Sequence, residues 1–167
     1  MIAIRLLVTG GTFDKEYNEI SGELYFRKTH VPAMLSLGRC RLDIRLETLM
    51  LKDSLHLTAE DRQLIRQRCA EAEENRIVIT HGTDTMVETA AAIAEAQLRK
   101  TIVLTGAMVP YTFGSSDGLF NLGSAIAFVQ TLPAGVYLAM NGRYFTWDNV
   151  RKDRERGMFE SLRSHGS

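Results

Sequence analysis

Short apolar, β-branched runs alternate along the chain with stretches of helical character, the arrangement expected of parallel βαβ units. Runs at 2–9, 41–46, 77–80, 101–105 and 135–140 read as strands. The first, third and fourth are almost continuously apolar, as fits strands covered on both faces. Between them, Thr58-Ala59-Glu60-Asp61 reads as an N-cap with acidic first-turn residues, opening a helix that runs to about residue 75. An alanine-rich helix is expected over 85–97. Another is expected over 118–131, with Asp117 near its start and Pro133 after it. The predicted fold is a doubly wound, mostly parallel open sheet with helices on both faces, a three-layer α/β/α sandwich.

Residues 13–32 break the pattern. Asp14, Lys15, Tyr17, Asn18, Ser21 and Gly22 lie in what reads as a long, hairpin-like connection. Connections of that length are usually functional lids or disordered segments. With 167 residues the chain suits one domain, expected over 1–160, with a frayed tail at 161–167.

Bulk properties then narrow the partners. Twenty basic residues balance twenty acidic ones, so no net field favours nucleic acid or an anionic membrane. Arg151, Lys152, Arg154, Arg156 and Arg163 cluster near the end and read mostly as a solvated helix surface, Lys152 being the exception taken up below. Cys40 and Cys69 fit neither a zinc spacing nor a redox pair, and nothing else points to secretion. The amino-terminal apolar run is too short for a signal peptide, and no apolar stretch approaches the roughly 20 residues that span a bilayer. The expected location is the cytoplasm. Exposed aromatics near Tyr144, Phe145 and Trp147 point to a homo-oligomer.

The chemistry concentrates on two glycine turns that follow apolar runs. In Thr9-Gly10-Gly11-Thr12, the glycines permit close approach, and free N–H groups there can hold a carboxylate or an oxyanion. The plain alternative is a tight turn and nothing more, since a third glycine and a Gly-Lys-Ser/Thr sequence are both lacking. The second turn, His81-Gly82-Thr83-Asp84-Thr85, carries more polar groups than a structural loop needs. Asp84 is a base partner or a helix cap. His81 reads as structural, bonding the neighbouring backbone. A threonine hydroxyl attacks only when a base takes its proton. Lys152, a short way past the last strand, is the candidate that can return to this edge.

Together, Thr9-Gly10-Gly11-Thr12, His81-Gly82-Thr83-Asp84-Thr85-Met86 with Glu88-Thr89-Ala90, Leu104-Thr105-Gly106-Ala107-Met108 with Pro110, and Asp117-Gly118 with Asn121-Leu122 resemble the bacterial-type L-asparaginase family, over about residues 4–155. The resemblance implies hydrolysis of L-asparagine to L-aspartate and ammonia, with no metal or organic cofactor. It implies that Thr12 is the lid nucleophile and that Thr83, Asp84 and Lys152 form a second constellation. Asp53 and Ser54 match the substrate-carboxylate region, and Gly11, Gly82, Ala107 and Met108 complete the binding positions. The lid tyrosine is Tyr17 or Tyr25. Tyr17 is preferred for its polar surroundings, whereas Tyr25 stands between Leu24 and Phe26 and has packing as a competing role.

Two departures stand out. Val109 occupies the place of the family's arginine, and the chain stops where a smaller C-terminal domain usually begins. Two other readings therefore stand beside the hydrolase: a non-catalytic module that binds aspartate or asparagine, and the amidase subunit that supplies ammonia in amidated-tRNA synthesis.

Overall fold

The computed structural model describes residues 2–163. Strand β1 (Ala3–Gly10) leads through a one-turn 3-10 helix at Thr12–Asp14 into a small hairpin, β2 (Glu16–Asn18) and β3 (Glu23–Tyr25), and then helix α1 (Val31–Leu37). Next come β4 (Asp43–Lys52), a 3-10 turn at Ser54–His56, α2 (Ala59–Glu71), β5 (Arg76–Thr80), α3 (Met86–Ala94) and β6 (Thr101–Thr105). A 3-10 turn at Tyr111–Phe113 precedes α4 (Gly118–Thr131), β7 (Gly135–Met140) and the short strands β8 (Arg143–Thr146), β9 (Arg151–Asp153) and β10 (Met158–Glu160).

The main sheet runs β4-β1-β5-β6-β7-β8. All its pairings are parallel except β7 with β8. Successive side chains in a strand point to opposite faces, so each central strand feeds both layers. Leu7, Ile77, Ile79 and Leu104 pack with Ile65 and Cys69 of α2 and Met86, Ala90 and Ile93 of α3. Leu6, Val8, Val78 and Val103 pack with Met34 of α1 and Leu122, Ala125 and Val129 of α4. The expected open α/β sheet with helices on both faces is what forms.

Helix α2 starts where the sequence places it. Thr58 accepts from the Asp61 amide while the Asp61 carboxylate accepts from the Thr58 amide, closing a capping box. It ends at Glu71, short of 75, where Ala72 turns to ψ 136°, and Lys100 donates to the carbonyls of Cys69, Ala70 and Ala72 that this leaves free. Helix α3 ends at Ala94 rather than 97, and Gln97 turns the chain with φ +49°.

Several expectations need correction. Strand β4 begins at Asp43 and runs six residues past Leu46, with Gly10 paired to Lys52 beyond a register shift whose extra residues lie in β4, between Thr48 and Lys52. Residues 13–32 are hairpin-like as expected, but helix α1 follows, with a proline in its first turn. Phe145 is buried, because β8 returns antiparallel along the sheet edge and turns it inward, while Tyr144 and Trp147 remain exposed. The basic segment near the end is no helix surface but the hairpin β9–β10, in which Arg151 pairs with Glu160 at 2.7 Å. Cys40 and Cys69 are both free thiols. Among the described residues no helix is long and apolar enough to cross a membrane. The expected tail at 161–167 lies, from 164 onward, outside the described residues.

Candidate active site

Both glycine turns stand at the carboxyl ends of adjacent parallel strands, β1 and β5, where open α/β sheets place ligands. Gly11 has φ +79° and donates its N–H to the Lys52 carbonyl at 2.8 Å. It lies so close to Gly82 that a Cβ on Gly11 would collide with the backbone of Gly82, while a Cβ on Gly82 would collide with Ser54 on another side. Only glycine fits this contact, and through it the two turns touch. Thr12, half-buried, follows on one side, and Thr83, buried, on the other.

Strand β9 brings Lys152 to the second turn. Its Nζ lies 2.9 Å from the Thr83 Oγ1 and 2.7 Å from the Asp84 Oδ1, with its side chain only 11% exposed. Arg154 adds a contact to the Asp84 carbonyl at 3.3 Å. Asp84 therefore holds the lysine and makes no cap for α3, whose N-cap is Thr85 without a side-chain bond. Three residues from two distant stretches of sequence thus converge on one point.

Ser54, buried, is clamped to the same turn. The Thr85 hydroxyl donates to the Ser54 carbonyl at 2.8 Å, and the Thr85 amide donates to the Ser54 hydroxyl at 3.3 Å. Asp53 beside it accepts from Lys15 at 2.6 Å and from the Leu55 amide at 3.0 Å. Burial would raise the Asp53 carboxyl, but the Lys15 hydrogen bond, the Leu55 amide and the charges of Lys15 and His56 hold it below its ordinary value. The ammonium of Lys15 is thus placed against the turn that carries Ser54, a role the sequence reading did not assign to it.

The loop after β6 forms another wall. Ala107 is buried and Met108 exposed. The Asp117 carboxylate accepts from the Met108 amide at 3.0 Å and the Val109 amide at 3.0 Å, so this aspartate orders the loop instead of capping α4. Asn121 donates to the Gly106 carbonyl at 2.8 Å and accepts from the Asn141 amide at 3.0 Å, fixing the ends of β6 and β7 together.

Neither lid tyrosine hydrogen-bonds to Thr12. Tyr17 is 55% exposed and lies edge-on against Phe113, with ring centroids 6.5 Å apart. Tyr25 donates its hydroxyl to Glu16 at 3.1 Å. The base of the lid is fastened by Asp14, fully buried, which accepts from the His30 amide at 2.8 Å and the Thr29 hydroxyl at 3.2 Å. His81, also fully buried, bonds the backbone as expected, through the Gly82 carbonyl. Among the described residues no group of three or more His, Cys, Asp or Glu side chains is placed to hold a metal ion.

The family model described as "Asparaginase, N-terminal" matches residues 3–164. A glutaminase-asparaginase of Acinetobacter glutaminasificans is 37% identical over 115 residues, which are 66% of this chain and 34% of that protein. An L-asparaginase of Thermococcus kodakarensis is 32% identical over 172 aligned positions, 95% of this chain and 51% of that one. The solved structure of the thermostable L-asparaginase from the same organism superposes with a TM-score of 0.86 at 30% identity, covering 96% of this chain and 51% of the other. A glutamyl-tRNA(Gln) amidotransferase subunit of Methanococcus vannielii is 34% identical over 150 residues, 83% of this chain and 34% of that protein. The chain spans about half or less of the length of these relatives.

Proposed function

The chain belongs to the asparaginase family through that N-terminal domain, and from this premise we propose that it hydrolyses the side-chain amide of L-asparagine to L-aspartate and ammonia. The observation that carries the reading is the Thr83–Lys152–Asp84 cluster, with Nζ at 2.9 Å and 2.7 Å from its two partners. A substrate-binding pocket alone has no need of an amine held between a hydroxyl and a carboxylate.

The reaction is acyl transfer. The Thr12 hydroxyl adds to the amide carbon, its proton drawn off through a lid tyrosine that must first leave its resting contact, Tyr17 from Phe113 or Tyr25 from Glu16. Backbone N–H groups near Gly11 and Thr83 hold the oxyanion, a contribution of about 3 kcal/mol per donor. The carbon–nitrogen bond then breaks, the nitrogen takes a proton, and ammonia leaves behind a β-aspartyl ester. Water adds to that ester with its proton passing to the Thr83–Lys152 pair, the bond from the acyl carbon to the Thr12 oxygen breaks, that oxygen takes up a proton, and aspartate is released. Attack by Thr83 first uses the same groups in the opposite order. Glutamine is a weaker substrate on this reading, since one methylene changes binding by about 1–3 kcal/mol.

The test is ammonia release from L-asparagine and L-glutamine by the purified chain, with Thr12→Ala and Thr83→Ala alongside. No release by the wild type at millimolar asparagine sinks the hydrolase. Near-normal activity in Thr12→Ala, with loss in Thr83→Ala, reverses the order of attack. The likeness to the amidotransferase protein of Methanococcus vannielii favours one second reading, a module that delivers its ammonia to a partner. That reading predicts glutamine as the better substrate, with release rising when the partner protein is added.

A further inference from the structure

Behind the second turn lies a set of buried hydrogen bonds that the proposed reaction does not use. The His81 ring points toward the α2–α3 layer, with Nδ1 2.7 Å from the Gly82 carbonyl oxygen and Nε2 2.8 Å from Thr89 Oγ1 on α3. From α2, Arg62 donates through Nε to the same Thr89 oxygen at 3.1 Å. A carbonyl oxygen only accepts, so Nδ1 carries the hydrogen. Nε2 of the neutral ring then accepts, and the Thr89 hydroxyl, already accepting from Arg62, gives its own hydrogen to it. One arrangement of protons satisfies every atom in the set. Burial, with the Arg62 charge adding to it against the Gly82 hydrogen bond, brings His81 down to about 4, so the ring is neutral at neutral pH.

The effect falls on the next peptide. A trans peptide is planar, with its C=O and N–H pointing in opposite directions, and no peptide here is cis. Fastening the Gly82 carbonyl to the buried ring turns the Thr83 N–H the other way, away from the α2–α3 layer. Among the described residues no protein group accepts from that N–H. Glycine at 82 leaves the peptide free to rotate unless something holds it.

We infer that His81 is a positioning residue: with Thr89 and Arg62 behind it, the ring holds the Gly82–Thr83 peptide so that the Thr83 N–H faces the developing oxyanion of an amide substrate. This rests on the amide-hydrolysis reading. The assignment concerns three side chains outside the reacting groups, and their effect is carried entirely by the orientation of one backbone amide.

Two substitutions separate the ring's two contacts. Asparagine at 81 places an amide nitrogen near the Nδ1 position, and glutamine places one near Nε2. His81→Asn should therefore rescue turnover to within a few-fold of wild type. His81→Gln should lower kcat by roughly 10²-fold with KM little changed, as for loss of one oxyanion donor. Thr89→Val, which leaves Nε2 without its donor, should resemble His81→Gln. Equal losses in the two His81 variants, or a loss confined to KM, overturn the assignment. Nitrogen NMR of the wild-type ring gives a readout that needs neither activity nor a variant: an Nδ1–H tautomer supports the assignment and an Nε2–H tautomer refutes it. Wild-type protein that releases no ammonia removes the hydrolase reading, and the tautomer still decides whether the peptide is held.

Discussion

Lys15 Nζ lies 2.6 Å from Asp53 Oδ2, and this ion pair joins the start of the lid to the turn that carries Ser54, across 38 residues of sequence. The Lys15 amide also donates to the Thr12 carbonyl at 3.2 Å, its carbonyl accepts from the Thr112 hydroxyl at 3.2 Å, and its ammonium stands over the Phe26 ring. Three segments therefore meet at one lysine, directly beside the residue proposed as nucleophile.

Replacing Lys15 by methionine should raise KM for asparagine several-fold, measured by ammonia release, while stability falls by about 1 kcal/mol or less, as for a partly exposed pair. The pair also carries a pH signature. A carboxyl held below its unfolded value, 3.8 for Asp53, adds stability that is present above that value and lost as pH falls through the folded one. Lys15→Met should therefore lose less stability on acidification than wild type does, as read from urea midpoints.

Lys152→Met should reduce kcat by about 10²–10⁴-fold, the usual range for removing a positioned base. Lys152→Arg should not restore it, because a guanidinium keeps its charge and cannot accept the proton. A charge-preserving rescue by arginine would mean that the group acts only through its field.

Asp14 behaves in the opposite sense to Asp53. Burial raises its carboxyl above 3.8, against the His30 amide, the Thr29 hydroxyl and the His30 charge, which lower it. One carboxylate oxygen, Oδ2, has no hydrogen-bond partner among the described residues. A raised acid contributes stability that is full below the unfolded value and lost as pH rises through the folded one. Asp14→Asn keeps the acceptor for His30 and Thr29 and removes the ionisation. It should match wild type in urea at acid pH and exceed it at neutral pH.

His81 gives the fourth expectation. Its ring ionises near 6.5 when unfolded and near 4 when folded, with Arg62 the charged group facing it. The folded state thus holds a stability that is complete above 6.5 and is lost as pH falls toward 4, on the order of 3 kcal/mol across the window. In His81→Asn that slope should vanish from the stability profile, and persistence of the full slope would assign it to another group.

The strands that were legible in sequence are those buried on both faces, because a strand such as Ile77–Thr80 must be apolar throughout. Strand β4 is legible only in part because it lies at the sheet edge, where alternate exposure lets Glu47 and Lys52 interrupt the apolar run. Helix α1 was hidden by its brevity and by Pro32 in its first turn. In the candidate site, Thr83 and Asp84 are legible as a polar motif after a buried strand, whereas Lys152 is one lysine among five that spacing alone does not single out and that the family resemblance places. The groups around them are not legible: Thr89 serves His81 eight residues away, and Lys15 meets Asp53 across four elements. Such partners are chosen by the fold, and their residue types are ordinary ones.

Gly11 and Gly82 meet backbone to backbone. The spacing of the two threonine turns is set by backbone on backbone, at the ends of β1 and β5, which pair in the middle of the sheet. Regions held in this way open only with the whole fold, whereas lids open locally at small cost. Hydrogen exchange at Leu7 and Ile79 should therefore report the same opening energy as global unfolding, with far faster exchange in the hairpin of Tyr17 and Leu24. The pair of turns proposed to carry the reaction is thus as durable as the sheet itself, and heat or denaturant will loosen the hairpin over the site well before it separates the turns.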